Sequence, residues 1–152
     1  DPLGFKIPLR AERGQLLVTE RLQPLLPFPG SGLRQTADGT IMIGATKENA
    51  TGRGVSVASA TKLALRATRI IPALAAARLV RQWSGFRVMP PDGSPLYAES
   101  ADYPGLFAAT CHSGVTLAAA HAVVVAPAML DGRLSTDLSA FSNGRFNVQK
   151  CA

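Results

Sequence analysis

The sequence predicts an α+β protein in which a mixed, mainly antiparallel sheet is covered by one helix. Three observations support this class. Two segments with the composition of strands are joined by a hairpin signal, a longer segment has helical periodicity, and neither internal repeats nor low-complexity tracts interrupt them. At 152 residues, the chain is long enough for one compact core and short for two ordinary domains.

The first strands are predicted between residues 14 and 46. The segment "GQLLVTE" (14–20) alternates and contains Leu and Val, and "TIMIGAT" (40–46) has the same character. The connection "LPFPGSG" (26–32) is rich in Pro and Gly, and "ADG" (37–39) is a hairpin turn that joins "LRQT" to "TIMIG". We therefore expect a strand followed by a β-hairpin.

An amphipathic helix is predicted over residues 56–74, where the apolar period changes. Its expected role is to cover the sheet with one face. The positively charged residues expected on the other face are Lys62, Arg66 and Arg69, and the apolar face is expected to contain Val57, Leu63, Ala67, Ile70, Ile71 and Leu74.

Further strands are predicted after this helix. Residues 77–90 return to a strand-like composition and stop at "PPDGSP" (90–95), which combines proline and Asp-Gly turn signals. The segment "PGLFAAT" (104–110) is a short apolar strand.

The segment "CHSG" follows that strand and precedes an alanine-rich helix. We expect this helix to run from about Gly114 to about Leu130, with a kink or late break at Pro127. A helix that starts at Ser113 or Gly114 directs its free N–H groups and its positive dipole end at whatever lies over the loop. Gly114 permits close approach of the backbone and offers permissive dihedral angles. Such a place suits an anionic or electron-rich ligand.

Two other interpretations apply to the same residues. A hydrolase would use Ser113 and His112, but the G-x-S-x-G elbow is absent and adjacent side chains rarely face each other. A purely structural interpretation has Ser113 as the N-cap of the helix and His112 packed in the interior.

Composition argues against several classes of protein. The net charge is +6, but the sixteen Lys and Arg residues are scattered and aromatic residues are few, which disfavours nucleic-acid binding. No apolar run reaches the roughly 18 to 20 residues of a transmembrane helix. The two cysteines, Cys111 and Cys151, form neither a disulfide framework nor a metal-binding spacing. We therefore expect a protein of a reducing compartment, the cytoplasm, with no metal site.

Five segments of the chain, in order, resemble the C-terminal part of the D-amino-acid-oxidase-like family of FAD-dependent oxidoreductases. They are "RGQLLVTE", "LRQTADGTIMIGAT", "WSGFRVMPPDGSPLY", "PGLFAATCHSGVTLAAAHA" and "FSNGRF". Together they span nearly the whole chain. Cys111, in the variant "TCHSGVTLAA", is similar to the branch that contains the beta subunits of opine oxidases and D-hydroxyproline dehydrogenases and a related component of hydrogen cyanide synthase.

The resemblance implies FAD as the cofactor. It places one loop against the pyrimidine edge of the flavin, with the following helix directed at N1 and the C2 carbonyl, where the reduced flavin carries negative charge. The positive end of the helix would stabilise that anion. The implied loop residues are Cys111, His112, Ser113, Gly114, Val115 and Thr116.

The resemblance also implies substrate-binding residues. Arg87 matches the arginine that holds the substrate carboxylate, for which a planar guanidinium is a suitable partner. The alternative for Arg87 is a structural ion pair with Asp92 or Glu99. Arg34 and Gln35 match a strand that lines the substrate side, and their alternative is a solvated hairpin.

One motif of the family is missing. The G-x-G-x-x-G turn that binds the ADP half of FAD does not occur, and "GSGLRQ" and "TGRGVS" lie in the wrong context. We therefore expect Asp1 to be a cut edge and the chain to be the C-terminal part of a protein more than twice as long. Residues 1–100 would belong to the substrate domain and residues 101–152 to the FAD-binding domain. Alone, the chain is expected to bind FAD weakly or not at all and to be inactive.

The implied function is oxidation of the C–N bond of an amino-acid-like substrate, such as an opine, D-hydroxyproline or glycine, by hydride transfer to flavin. No protein base is evident, because the substrate amine can be bound already neutral. Partner subunits of a hetero-oligomeric dehydrogenase are candidate partners. The alternative is a non-catalytic subunit or truncated fragment with a role in assembly.

Overall fold

The computed structural model describes residues 3–147, which form two compact units. One unit contains residues 11–87, and the other contains residues 3–10 together with residues 88–147. The Cys-His-Ser-Gly loop belongs to the second unit, and Cys151 lies outside the described residues.

The unit of residues 11–87 is built on a four-stranded sheet with the order β2-β3-β1-β4. Strand β3 is antiparallel to both β1 and β2. The predicted hairpin turn is confirmed, because Gly39 has a φ of +93° and its N–H donates to Thr36 O at 3.0 Å. The strands are β1 (Arg10–Arg21), β2 (Leu33–Gln35), β3 (Thr40–Gly44) and β4 (Leu79–Met89).

Helix α1 (Val57–Ile70) covers one face of this sheet, as predicted. Its N-cap is Ser56, whose hydroxyl accepts from Ser59 N at 3.2 Å. Apolar side chains of α1 and of the sheet form one buried cluster, which makes burial of this face the main stabilisation of the unit. The buried members are Leu17, Leu33, Ile41, Ile43, Leu63, Ala67 and Leu74.

The helix is shorter than predicted. It ends at Ile70 because Pro72 disfavours helical dihedrals at Ile71, which has a φ of −130° and a ψ of 93°. A 3₁₀ helix (Pro72–Ala76) follows and buries Leu74. Val57 and Ile70 were expected on the buried face but are 82% and 43% exposed, because each lies at an end of the helix.

The other unit contains a two-stranded antiparallel sheet of β5 (Leu96–Glu99) and β6 (Phe107–Thr110). Strand β6 was predicted, whereas β5 was not. The segment "LYAE" is buried at three consecutive positions, so it lacks the alternation by which a half-buried strand is recognised. The predicted turn before β5 is present, since Gly93 N donates to Pro90 O at 3.0 Å.

A helical segment of residues 118–130, here called the C-terminal helix, follows β6. It consists of α2 (Ala118–Ala120), a π-helical segment (His121–Val125) and α3 (Ala126–Leu130). Regular helix therefore begins after a turn at residues 114–117 and not at Gly114, but it ends at Leu130 as predicted. The helix continues through Pro127, and its irregularity is the π-helical segment that precedes the proline.

Two 3₁₀ helices, Thr136–Phe141 and Asn143–Phe146, complete this unit. Its buried cluster joins β5, the C-terminal helix and the first of these 3₁₀ helices through Tyr97, Val125 and Leu138. The mainly antiparallel α+β class is confirmed.

Candidate functional site

The motif Arg13-Gly14-Gln15 is held in a network of polar contacts. Arg13 Nε donates to Glu48 Oε2 at 2.8 Å, and Arg13 Nη1 donates to the carbonyl oxygens of Gly52 and Gly54. Gln15 is fully buried, and its Nε2 donates to Glu48 Oε1 at 2.9 Å. These two side chains attach β1 to the segment that leads into helix α1.

Glu48 is the shared acceptor of this network. Hydrogen bonds from Thr46, then from Gln15, Ser59 and Arg13, lower the pKa of Glu48 to about 2. The Thr46 hydroxyl lies 2.6 Å and the Ser59 hydroxyl 2.8 Å from Glu48 Oε1. The carboxylate is thus ionised and fully engaged, which indicates a structural role.

Gly14 provides the surface on which Arg87 lies. A Cβ atom at Gly14 would be 2.7 Å from Arg87 Nη2 and 2.8 Å from Nη1, so the guanidinium lies directly against this backbone. Arg87 Nη1 donates to Glu12 Oε1 at 3.3 Å and to Thr46 O at 3.2 Å. Within the described part of the chain, Nε and Nη2 make no hydrogen bond. One edge of the guanidinium is therefore fixed and the other is available to a ligand.

The alternative partners considered for Arg87 are engaged elsewhere. Asp92 Oδ2 accepts from Arg145 Nε at 2.8 Å, and Glu99 accepts from Leu134 N. The ion pair of Arg87 is with Glu12, 75 positions away in the sequence. Local sequence patterns do not indicate a pair at this separation, so Glu12 was missed.

Arg34 lies on the sheet face opposite helix α1. Its neighbour Leu33 is buried in the cluster with α1, and successive residues of a strand point to opposite faces. Arg34 is exposed, and its guanidinium makes no hydrogen bond or ion pair with residues that the structure describes. It borders a shallow groove on this face, whose other lining residues include Leu16, Met42 and Gly44.

Gln35 is used to close a loop. Its Oε1 accepts from Leu25 N at 2.8 Å and from Leu26 N at 3.1 Å, while its Nε2 donates to Gln23 O at 3.0 Å and to Gly39 O at 3.1 Å. This side chain is therefore neither a solvated hairpin residue nor free for a ligand in this arrangement. Its contact with substrate stays a prediction.

The loop of residues 111–116, here called the CHSG loop, presents its backbone to the outside of its own unit. Cys111 is half-buried and residues 112–116 are exposed. Ser113 O accepts from Leu117 N at 3.0 Å. The N–H groups of residues 112–116 have no acceptor among residues 3–147, so consecutive donors point outward at the start of the helical segment.

The structural interpretation of Ser113 and His112 is wrong in both parts. His112 is exposed and not packed, and the Ser113 hydroxyl lies 3.1 Å from His112 Nδ1 and caps no N–H group. The adjacent side chains do face each other, contrary to expectation. A hydrolase would also need a group that orients the histidine, and His112 Nε2 has no partner in the described residues.

Gly114 is not required by the backbone of the chain. Its φ is outside the positive range, so the expected benefit of permissive dihedral angles does not apply. A Cβ atom here would meet only Cys111 Sγ, at an ordinary contact distance of 3.7 Å. Close approach of a group from outside the loop remains as the reason for a glycine.

These features fit one part of FAD. Outward N–H groups beside a glycine suit the carbonyl and nitrogen acceptors of a flavin pyrimidine edge. The CHSG loop could hold that edge, whereas the sequence contains no G-x-G-x-x-G turn for the ADP half.

Metal and membrane sites were also considered within residues 3–147. No group of three or more His, Cys, Asp or Glu residues there could hold a metal ion. None of the helices in that range has both the length and the apolar character of a membrane span.

Comparison with known proteins agrees with this site. The chain is 46% identical to an opine oxidase subunit from Rhizobium meliloti over 97% of its length and 29% identical to the hydrogen cyanide synthase subunit HcnC of Pseudomonas aeruginosa over 98%, which is 40% and 37% of those proteins. The crystal structure of glycine oxidase from Geobacillus kaustophilus matches 91% of this chain and 40% of that one, with a TM-score of 0.79 and 28% identity. Residues 1–128 match the model of the DAO family, described as FAD dependent oxidoreductase. The chain therefore belongs to the FAD-dependent oxidoreductase family, as its motifs indicated.

Proposed function

We propose that the chain is the C-terminal part of an FAD-dependent dehydrogenase or oxidase that acts on the C–N bond of an amino-acid-like substrate. The observation that carries this proposal is the guanidinium of Arg87, which is fixed on Gly14 with one edge available. The chain spans about 40% of the relatives named above, and these include an opine oxidase component and a glycine oxidase. An opine, D-hydroxyproline or glycine is the proposed class of substrate.

Arg87 is the proposed carboxylate ligand. The Nε and Nη2 groups form one edge of the guanidinium, and two parallel N–H donors match the two oxygens of a carboxylate. Because Glu12 and Thr46 O hold Nη1, the orientation of this edge is set before a ligand arrives. Arg34 is proposed to contact the substrate farther along the same sheet face.

The CHSG loop is the proposed contact with the flavin. Its unpaired N–H groups would stabilise negative charge on the pyrimidine edge. When bound, FAD would supply the hydride acceptor. We assign no general base, since the carboxylate beside Arg87 belongs to Glu12 and accepts from the guanidinium.

The organisation of the whole protein is also a proposal. Residues 11–87 would contribute to substrate binding, and the CHSG loop with the C-terminal helix would contribute to the FAD-binding domain. Partner subunits are proposed because two relatives are named as subunits. We propose a cytoplasmic location from the cysteine content, and Cys111 is a free thiol in the structure.

The test uses the full-length polypeptide that contains this chain. We expect it to purify with flavin absorbance and to have its flavin reduced by members of a panel of opines and D-amino acids. A colourless protein would instead favour the alternative of a non-catalytic protein with a role in assembly.

The variant Arg87→Ala tests the proposed carboxylate contact. It should lower kcat/KM by roughly two orders of magnitude or more with unchanged flavin content, because a bidentate charge-assisted contact is lost. Arg81→Ala is the matched control, as Arg81 is an exposed arginine of the same strand. Normal turnover by the Arg87→Ala variant would show that Arg87 is structural.

A further inference from the structure

A hydrogen bond between Tyr97 and His121 joins the two elements that flank the CHSG loop. The Tyr97 hydroxyl lies 2.9 Å from His121 Nε2, and the rings meet edge to face with centroids 5.7 Å apart. Tyr97 is in β5 and is 4% exposed, whereas His121 is the first residue of the π-helical segment. Segments of this kind are frequent at functional sites.

Short chains of hydrogen bonds connect this pair to both ends of the loop. On one side, Tyr97 is paired in register with Ala109 of β6, and the loop begins two residues later. On the other side, His121 N donates to Leu117 O at 2.9 Å, and Leu117 N donates to Ser113 O at 3.0 Å. The separation of β6 from the C-terminal helix therefore depends on the Tyr97–His121 contact.

The loop has few other contacts that could hold it. Residues 112–116 are exposed, and within the described part of the chain their one side-chain hydrogen bond joins His112 to its neighbour Ser113. The direction of the loop N–H groups is consequently set by the elements at its two ends. A change in the spacing of those elements would turn the N–H groups.

The Tyr97 hydroxyl depends on His121 as its hydrogen-bond partner in the described residues. Burial, and to a lesser extent the nearby Cys111, raises the pKa of Tyr97, so the phenol keeps its proton. The packing of Tyr97 against Phe141, with ring centroids 6.1 Å apart, restricts the ring further. A buried hydroxyl that lost its partner would favour a rearrangement of this region.

We propose that Tyr97 and His121 are positioning residues that set the direction of the loop N–H groups and thereby the reduction potential of the bound flavin. This inference rests on the proposed function, in which the CHSG loop contacts the flavin. Neither side chain contacts the flavin in this proposal. Their effect passes through the spacing of β6 and the C-terminal helix.

The test measures the flavin reduction potential of full-length variants. Tyr97→Phe should weaken the preference for reduced over oxidised flavin about tenfold, which lowers the potential by about 30 mV for a two-electron couple. His121→Ala should act in the same direction, and His121→Gln should restore most of the wild-type potential because its amide can replace Nε2 as a hydrogen-bonding group. Tyr103→Phe is the matched control, since Tyr103 is the other tyrosine of the chain and is 51% exposed.

The outcomes separate this inference from the proposed function. Wild-type potentials in both Tyr97→Phe and His121→Ala, with only a lower Tm, would overturn the inference and leave the proposed function standing. A wild-type protein that purifies without flavin would overturn both. If Tyr97→Phe does not fold, the comparison of His121→Ala with His121→Gln decides.

Discussion

At the scale of single residues, two glycines illustrate different reasons for lacking a side chain. At Gly14, a Cβ atom would overlap the guanidinium of Arg87 at 2.7 Å, so the glycine is required by a partner within the chain. At Gly114, the nearest atom to such a Cβ is 3.7 Å away, so the described residues leave room for it. A methyl group added at Gly114 therefore probes what lies outside the chain.

The variant Gly114→Ala makes this probe quantitative. In the full-length protein, we expect the Tm to change little, within about 0.5 kcal/mol of stability, because the new Cβ is accommodated. Flavin content or reduction potential should fall, since the methyl group separates the ring from the loop N–H groups. Both properties can be measured by absorbance and by redox titration. Flavin properties equal to those of the wild type would remove the CHSG loop from the site.

At the scale of elements, the predictions succeeded where the signal was local. The turn at residues 37–39 and the helix that covers the sheet were predicted because Asp-Gly and a 3.6-residue period are read within a few positions. Strand β5 was missed because its neighbours bury it on both faces. The pairing of Arg87 with Glu12 was missed because the two residues meet only after the sheet has formed.

The element most dependent on long-range polar contacts is the start of helix α1. Glu48 connects it to β1 through Gln15 and Ser59, and these hydrogen bonds hold the pKa of Glu48 at about 2, below its ordinary value of 4.5. A lowered pKa in the folded state stabilises the fold fully above pH 4.5. This contribution is lost as the pH falls from about 4.5 to about 2.

The variant Glu48→Gln tests this contribution. At pH 7 it should lower the free energy of unfolding by about 2 kcal/mol, because hydrogen bonds to a charged acceptor are lost. The difference from the wild type should shrink between pH 4.5 and pH 2, where the wild-type carboxylate becomes protonated. Urea unfolding followed by fluorescence of Trp83, the single tryptophan, measures both. Asp131→Asn, at an exposed carboxylate, is the control, and a pH-independent difference would contradict the assignment.

At the scale of the whole molecule, the chain exposes an apolar surface. Val115, Val123 and Leu130 are 95%, 72% and 88% exposed, all in or beside the C-terminal helix. Isolated exposed apolar residues are ordinary, but several along one helical segment are typical of a surface that another part covers. This agrees with the proposal that a longer polypeptide contains the chain, as in relatives of which it spans about 40%.

The same reasoning predicts how the chain alone treats FAD. Residues 1–152 offer the flavin an exposed loop with outward N–H groups, but their sequence has no G-x-G-x-x-G turn for the pyrophosphate. Because the contacts to the ADP half supply much of the affinity, the chain alone should bind FAD roughly two orders of magnitude or more less tightly than the full-length protein. Equilibrium dialysis of both proteins against FAD compares the two affinities directly. Stoichiometric, tight binding by residues 1–152 would mean that the dinucleotide is held by a site other than the one proposed, and the assignment of the CHSG loop to the pyrimidine edge would then need revision.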